Sequence, residues 1–345
     1  MGGALKRTGI AAGVTAGIGG AVYAGQRALA ARLRHREDPD ADDPLIPRFD
    51  EAIRIDCHDA GSLYVITRGD GPPVLFAHGV TLSSRVFAKQ FDSFPEAGFR
   101  AIAFDGRGHG ESTVGESGHS IDNLAEDVRS VLEHLDLRDA ILVGHSMGGM
   151  AVQAFAIGHP DIARARVAGL VLMSTAARTV TSDARRLRGG LERMTSAVPN
   201  VGAIMRQRNF GLLVARMGFG DSPHPSHVEA TRQMLAECSR ETLRDASRAM
   251  LSLDLTEGLP SITLPTLVLV GTADVLTPPR DARQIASLIP HADLVEFTGA
   301  GHMLMYERAA EVDQIVIDFA RERTGLPFRH GAGETPTRSG RAAAQ

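Results

Sequence analysis

The sequence predicts an α/β fold: a mostly parallel eight-stranded sheet with helices on both faces and a helical lid inserted after strand 6. Three observations predict it. Short apolar runs alternate with helical patterns from about Phe49 to Arg323, the order a βαβ architecture requires. The last six runs are nearly continuous in hydrophobic residues, as strands covered on both faces are. The alternation then breaks between residues 177 and 262, where Arg, Met, Leu and Gly mix at helical spacing.

The strand-like runs are 52–57, 62–67, 74–78, 100–105, 140–144, 168–174, 266–271 and 294–297. The first two alternate apolar with polar residues and are expected at an antiparallel edge. Ser120 can cap a helix whose apolar stripe is Leu124, Val128, Val131, Leu132 and Leu135. Ile285, Leu288 and Ile289 repeat that spacing, as do Val312, Ile315, Val316 and Phe319. The core is therefore assigned to 49–176 and 263–323 and the lid to 177–262. Residues 324–345, small and polar without periodicity, read as a disordered tail.

The N-terminus is different in kind. Residues 8–26 carry no charge, lie between Lys6-Arg7 and Arg27, and place glycines at 9, 13 and 17, the small-residue spacing of packed membrane helices. Segment 1–36 is read first as a membrane anchor, with the catalytic domain in the cytoplasm because more arginine follows the stretch than precedes it. An export signal and an undocked arm are the other readings. Segment 37–48, acidic and proline-rich, reads as a linker with little to bury.

With a formal net charge of −4, the chain has no concentrated basic surface for nucleic acid. Cys57 and Cys238 show neither disulfide nor zinc spacing and read as small buried side chains, so no metal is expected. The oligomeric state is not legible.

The chemistry is concentrated in three places. Gly144-His145-Ser146-Met147-Gly148 follows a strand and opens a helix, the pattern of a nucleophile elbow, in which flanking glycines leave room for a strained serine. The amide of Met147, at the helix N-terminus, can donate to an oxyanion forming beside Ser146. His302 follows the last strand and can act as general base, and Asp274 follows the strand before it and can orient the imidazole. Parallel strands share a C-terminal edge, so the three converge without being neighbours in sequence. Asp105 is a rival acid, but it precedes Ser146 and breaks the expected chain order. His78, His109 and His145 are read as structural, and His224 and His227 as solvated lid residues.

These motifs carry a resemblance. HGV at 78–80, DGRGHGES at 105–112, GHSMGG at 144–149, PTLVLVGTADVLTPP at 265–279 and GAGHM at 299–303 occur in the order found in the α/β-hydrolase superfamily. From about Phe49 to Arg323 the chain resembles its serine esterase and monoacylglycerol lipase-like branch. The resemblance implies that the Val80 amide joins Met147 in the oxyanion hole, that 105–112 is a structural turn, and that no cofactor is needed. Superfamily dehalogenases and epoxide hydrolases use an aspartate nucleophile where this chain has Ser146, and the chain has no tryptophan to hold a halide. Phe87 stands where many haloperoxidase-like members carry tryptophan, which weakens that assignment without excluding it.

The expected reaction is cleavage of a carboxylic ester, lipid-like or small, through an acyl-enzyme on Ser146. Phe87, Met205, Phe210, Met217 and Met303 are the candidate substrate contacts, since methionine-rich apolar surfaces adapt to flexible chains. Two alternatives stay open: carbon–carbon bond or thioester hydrolysis by the same triad, and a ligand-binding module with little turnover.

Overall fold

The computed structural model describes residues 25–178 and 206–327. Its sheet contains β1 (Glu51–Asp56), β2 (Ser62–Arg68), β3 (Pro73–Ala77), β4 (Arg100–Phe104), β5 (Ala140–His145), β6 (Val167–Met173), β7 (Thr266–Gly271) and β8 (Ala292–Phe297). They lie in the order β1-β2-β4-β3-β5-β6-β7-β8. The pairs β1–β2 and β2–β4 are antiparallel, and every pair from β4 onward is parallel. All eight strands fall where apolar patterning put them. In β8 the pattern overstated the cover: it is the far edge strand, with only Phe297 fully buried.

Two apolar layers cover the sheet. On one face α2 (Ile121–His134) and α3 (Met147–Gly158) pack with Leu75, Leu142 and Leu170. Ser120 caps α2, its side chain accepting from the Asn123 N–H at 3.0 Å. On the other face α1 (Gln90–Glu96) and α10 (Ala309–Thr324) cover Phe76, Val143 and Leu269. The short α4 (Pro160–Arg166), α8 (Pro279–Leu288) and α9 (Leu304–Glu307) complete the frame.

Between β6 and β7 the described residues form α5 (Arg208–Arg216), α6 (Pro225–Glu237) and α7 (Arg240–Leu251). Leu212, Phe219 and Met234 are buried in the packing of this insertion. Residues 179–205 of the expected lid and 328–345 of the expected tail lie outside the described residues.

The segment before β1 corrects the linker reading. Leu45 and Pro47 are buried, Lys89 Nζ binds Asp40 Oδ1 at 2.6 Å and Asp43 Oδ2 at 2.7 Å, and Asp38 Oδ2 accepts from the Ser226 N–H at 2.7 Å. Asp38, Asp40 and Asp43, in a segment read as having little to bury, are paired with partners distant in sequence. Upstream, 25–34 is helical, with Ala30 and Leu33 buried and Arg34 bonded to Asn209 at 2.8 Å. Most of the uncharged stretch 8–26 lies outside the described residues, among which no helix is long and apolar enough to cross a membrane.

Candidate active site

The order of the sheet reverses between β3 and β5, and in open α/β sheets ligand sites form at the carboxyl ends of strands around such a point. Register brings the parts together there. Ala77 pairs with Gly144, so the loop after β3 emerges at the level of the turn after β5.

Ser146 occupies that turn with φ 54° and ψ −118°, a conformation that costs an ordinary residue about 1–3 kcal/mol. The surroundings enforce it. The Ser146 N–H donates to Met173 O at 3.0 Å, and Thr175 Oγ1 donates to Ser146 O at 2.7 Å. A methyl group on Gly148 would lie 2.1 Å from Ala77 O, so only glycine lets α3 start this close to β3.

Behind the serine, His302 Nδ1 lies 2.9 Å from Asp274 Oδ2. Asp274 Oδ1 accepts from the N–H groups of Leu276 at 2.9 Å and Thr277 at 3.0 Å, and Thr277 Oγ1 donates to Oδ2 at 2.9 Å. Burial raises the Asp274 carboxyl, but the adjacent imidazole and the Thr277 bonds outweigh it and hold the group below its ordinary range. An acceptor held ionised fixes the proton on Nδ1 and leaves Nε2 as the basic nitrogen of His302. The His302 ring lies 4.7 Å, centroid to centroid, from that of His145, the residue before Ser146. Ser146, Asp274 and His302 are 7, 3 and 6% exposed.

Two buried histidines shape the facing loop. His78 Nε2 accepts from the Gly106 N–H at 2.8 Å, which leaves Nδ1–H to donate to Gly79 O at 2.7 Å. The C=O and the following N–H of a trans peptide point in opposite directions, so anchoring Gly79 O aims the Val80 N–H the other way. His109 Nε2 accepts from the Thr81 N–H at 3.1 Å, and burial depresses this imidazole to about 3, keeping that nitrogen an acceptor. A methyl group on Gly79 would stand 3.0 Å from Ser146 Cβ, so the loop runs directly beside the serine. The Met147 N–H, first in α3, has no acceptor within its helix.

The rival acid is otherwise engaged: Asp105 Oδ1 accepts from the Ser84 N–H at 2.7 Å and Oδ2 from the Glu111 N–H at 2.9 Å, bracing the 105–112 turn. His145 donates from Nε2 to His302 O at 3.0 Å, in keeping with a structural role. Patterning missed Thr175 and Thr277; the only available signal for the latter was a hydroxyl three residues after an aspartate at a strand end.

The substrate contacts need correction. Phe87 is fully buried, its ring 5.0 Å from Phe76, and belongs to the core under the sheet. Met303 is buried beneath Gly218 and has no surface to offer. Phe210 is half-buried on α5, and Met205 lies outside the described residues. Met217 remains a candidate at 61% exposure, beside Gly218, whose carbonyl accepts from the His302 N–H at 2.9 Å. Val275 and Leu276, 68 and 55% exposed immediately after Asp274, were not singled out.

Loop 218–221 is joined to the histidine loop throughout. Gly218 O also accepts from the Met303 N–H at 3.2 Å, and the Asp221 N–H donates to Gly299 O at 3.0 Å. The half-buried Glu307 carboxylate accepts from the Gly220 N–H at 2.7 Å and the Gly301 N–H at 2.9 Å.

Comparison with known proteins agrees with this fold. Residues 72–309 match the family model of the alpha/beta hydrolase fold. The chain is 32% identical over 241 residues to the non-heme chloroperoxidase CPO-A1 of Kitasatospora aureofaciens, covering 68% of this chain and 86% of that protein. It is 27% identical to the bifunctional esterase/perhydrolase DCH of Acinetobacter calcoaceticus, covering 73% of this chain and 92% of that one. A thermophilic esterase from Thermogutta terrifontis, solved with malate bound, superposes with a TM-score of 0.69 at 30% identity, over 79% of this chain and 99% of its own. Fold, site geometry and relatives agree, and the chain belongs to the α/β-hydrolase fold family.

Proposed function

We propose that the protein is a serine hydrolase that cleaves a carboxylic ester through an acyl-enzyme on Ser146. The observation that carries this reading is the buried Asp274–His302 pair, 2.9 Å apart, set behind a serine in a strained strand-to-helix turn. His302 Nε2 takes the hydroxyl proton as Ser146 Oγ attacks the carbonyl carbon, and the Val80 and Met147 amides receive the negative charge on the carbonyl oxygen. The proton passes to the departing alkoxide. A water, deprotonated in turn by His302, then releases the acid and restores the serine. The exposed apolar side chains Met217, Val275 and Leu276 beside the histidine and aspartate loops favour a substrate with an apolar acyl or alcohol part.

A panel of p-nitrophenyl esters of increasing acyl length tests the reading. Wild type is expected to turn over part of the panel and to be labelled by a fluorophosphonate, and Ser146→Ala to do neither, with a loss of about 10⁶ in kcat. A flat background profile in folded wild type would remove the esterase reading. Turnover of diketones or thioesters in its place would transfer the same machinery to those bonds, and absent labelling would leave a ligand-binding module. A second reading has support from the relatives named as a chloroperoxidase and an esterase/perhydrolase. Hydrogen peroxide replacing water in the second step would release a peracid, detectable as ester-dependent oxidation of halide that Ser146→Ala lacks.

A further inference from the structure

A second cluster of reactive side chains plays no part in the proposed hydrolysis. It joins the segment before β1 to the start of α6. Asp40 Oδ2 lies 3.1 Å from His224 Nδ1 and 2.9 Å from His227 Nε2, and the three atoms sit within 4.8 Å of one another. His224 precedes α6 and His227 follows three residues later in its first turn, so both rings face the same side. His227 is 2% exposed, and its ring stacks on Tyr306 at 4.8 Å and 19°. Its Nε2 is close to the carboxylate but has no hydrogen-bond partner, because the oxygen lies off the N–H axis. A buried donor normally finds an aligned acceptor. A buried ring nitrogen left without one, beside two other ligand atoms within 4.8 Å, is available to a shared ion.

We propose that Asp40, His224 and His227 bind a divalent transition metal of the zinc type, with water as the fourth ligand. Two imidazoles and one carboxylate form a borderline donor set that selects such ions over calcium or magnesium. Bonds of about 2.0 Å around a tetrahedron separate neighbouring ligand atoms by roughly 3.3 Å, close to the observed spacings. Lys89 Nζ binds the other Asp40 oxygen at 2.6 Å and orients the carboxylate, while Asp43, 2.7 Å from Lys89, offsets the ammonium charge. The metal would fasten the segment before β1 to the insertion between β6 and β7.

The test uses the full chain, without an affinity tag and stripped with chelator, titrated with Zn²⁺ by calorimetry and followed by thermal unfolding. Wild type is expected to bind one Zn²⁺ per chain and to unfold at a higher temperature with it. His224→Gln and Asp40→Asn, at partly exposed positions, are each expected to weaken binding about 100-fold and to lose the thermal shift. Cobalt bound to wild type is expected to show tetrahedral visible absorption. Non-saturable binding to wild type, or wild-type affinity in either variant, overturns the site. Running the titration on Ser146→Ala as well keeps the result independent of hydrolysis.

Discussion

Gly79 has no side chain, yet the direction of its carbonyl decides where the Val80 amide points, and His78 holds that carbonyl at 2.7 Å. His78→Ala is therefore expected to lower kcat on a p-nitrophenyl ester about 10–100-fold with KM changed less than about threefold, because an oxyanion donor matters mainly in the transition state. The variant also leaves the Gly106 N–H without its acceptor, so some loss of stability accompanies the effect. A defect confined to Tm, or carried by KM, would falsify the positioning role. At this scale the sequence revealed what topology dictates: the placement of Ser146, Asp274 and His302 at strand ends on one edge was legible, and with it the Asp274–His302 contact. The supporting bonds from Thr175 and Thr277 were not, because each depends on which backbone groups the fold brings within reach. Phe87 and Met303 were misread for a related reason, since an apolar residue near a motif looks the same in sequence whether it lines a pocket or lies beneath one.

Between elements, α10 meets α1 through a buried polar contact. Asp313 accepts from Gln90 Nε2 at 2.8 Å and Ser93 Oγ at 2.7 Å, yet burial outweighs these bonds and pushes the carboxyl up to about 6 from 3.8. A folded-state value above the unfolded one means that the native state holds the extra proton between them. The cost to stability is therefore absent below about pH 4, grows as pH rises through that window and is complete above about 6. At 1.36 kcal/mol per pKa unit it reaches about 3 kcal/mol. Asp313→Asn is expected to gain stability over wild type by about that amount at pH 8 and by little at pH 4, read from urea midpoints at both values. A constant difference across pH rejects the assignment. Strands and helices were legible at this scale because their apolar periods recur over many residues, and Ser120 marked its helix by cap chemistry. Segment 37–48 was not: composition records what a segment can bury by itself, whereas Leu45 and the carboxylates at 38, 40 and 43 find their partners elsewhere.

Across the molecule, one charge ties distant parts together. Arg107, 1% exposed in the turn after β4, binds Asp59 between β1 and β2 at 3.0 Å and Asp127 on α2 at 2.6 Å. Arg107→Ala would strand both carboxylates, and a loss of about 3–5 kcal/mol is expected. The midpoint of urea unfolding should fall with its slope unchanged, and a loss below about 1 kcal/mol would mean that water replaces the guanidinium. The global plan was readable in the order of motifs, while the position of the insertion over the sheet was not, because no pattern announces a tertiary contact. That contact carries a mechanical consequence. Since residues 218–221 share three backbone hydrogen bonds with 299–303 and a fourth with the Glu307 carboxylate, displacing the insertion at this point must either break that seam or drag His302, the proposed general base, with it. Under the proposed hydrolysis, a substrate entering from this side would couple its own admission to the alignment of the imidazole, with the doorway built onto the lever that moves the proton.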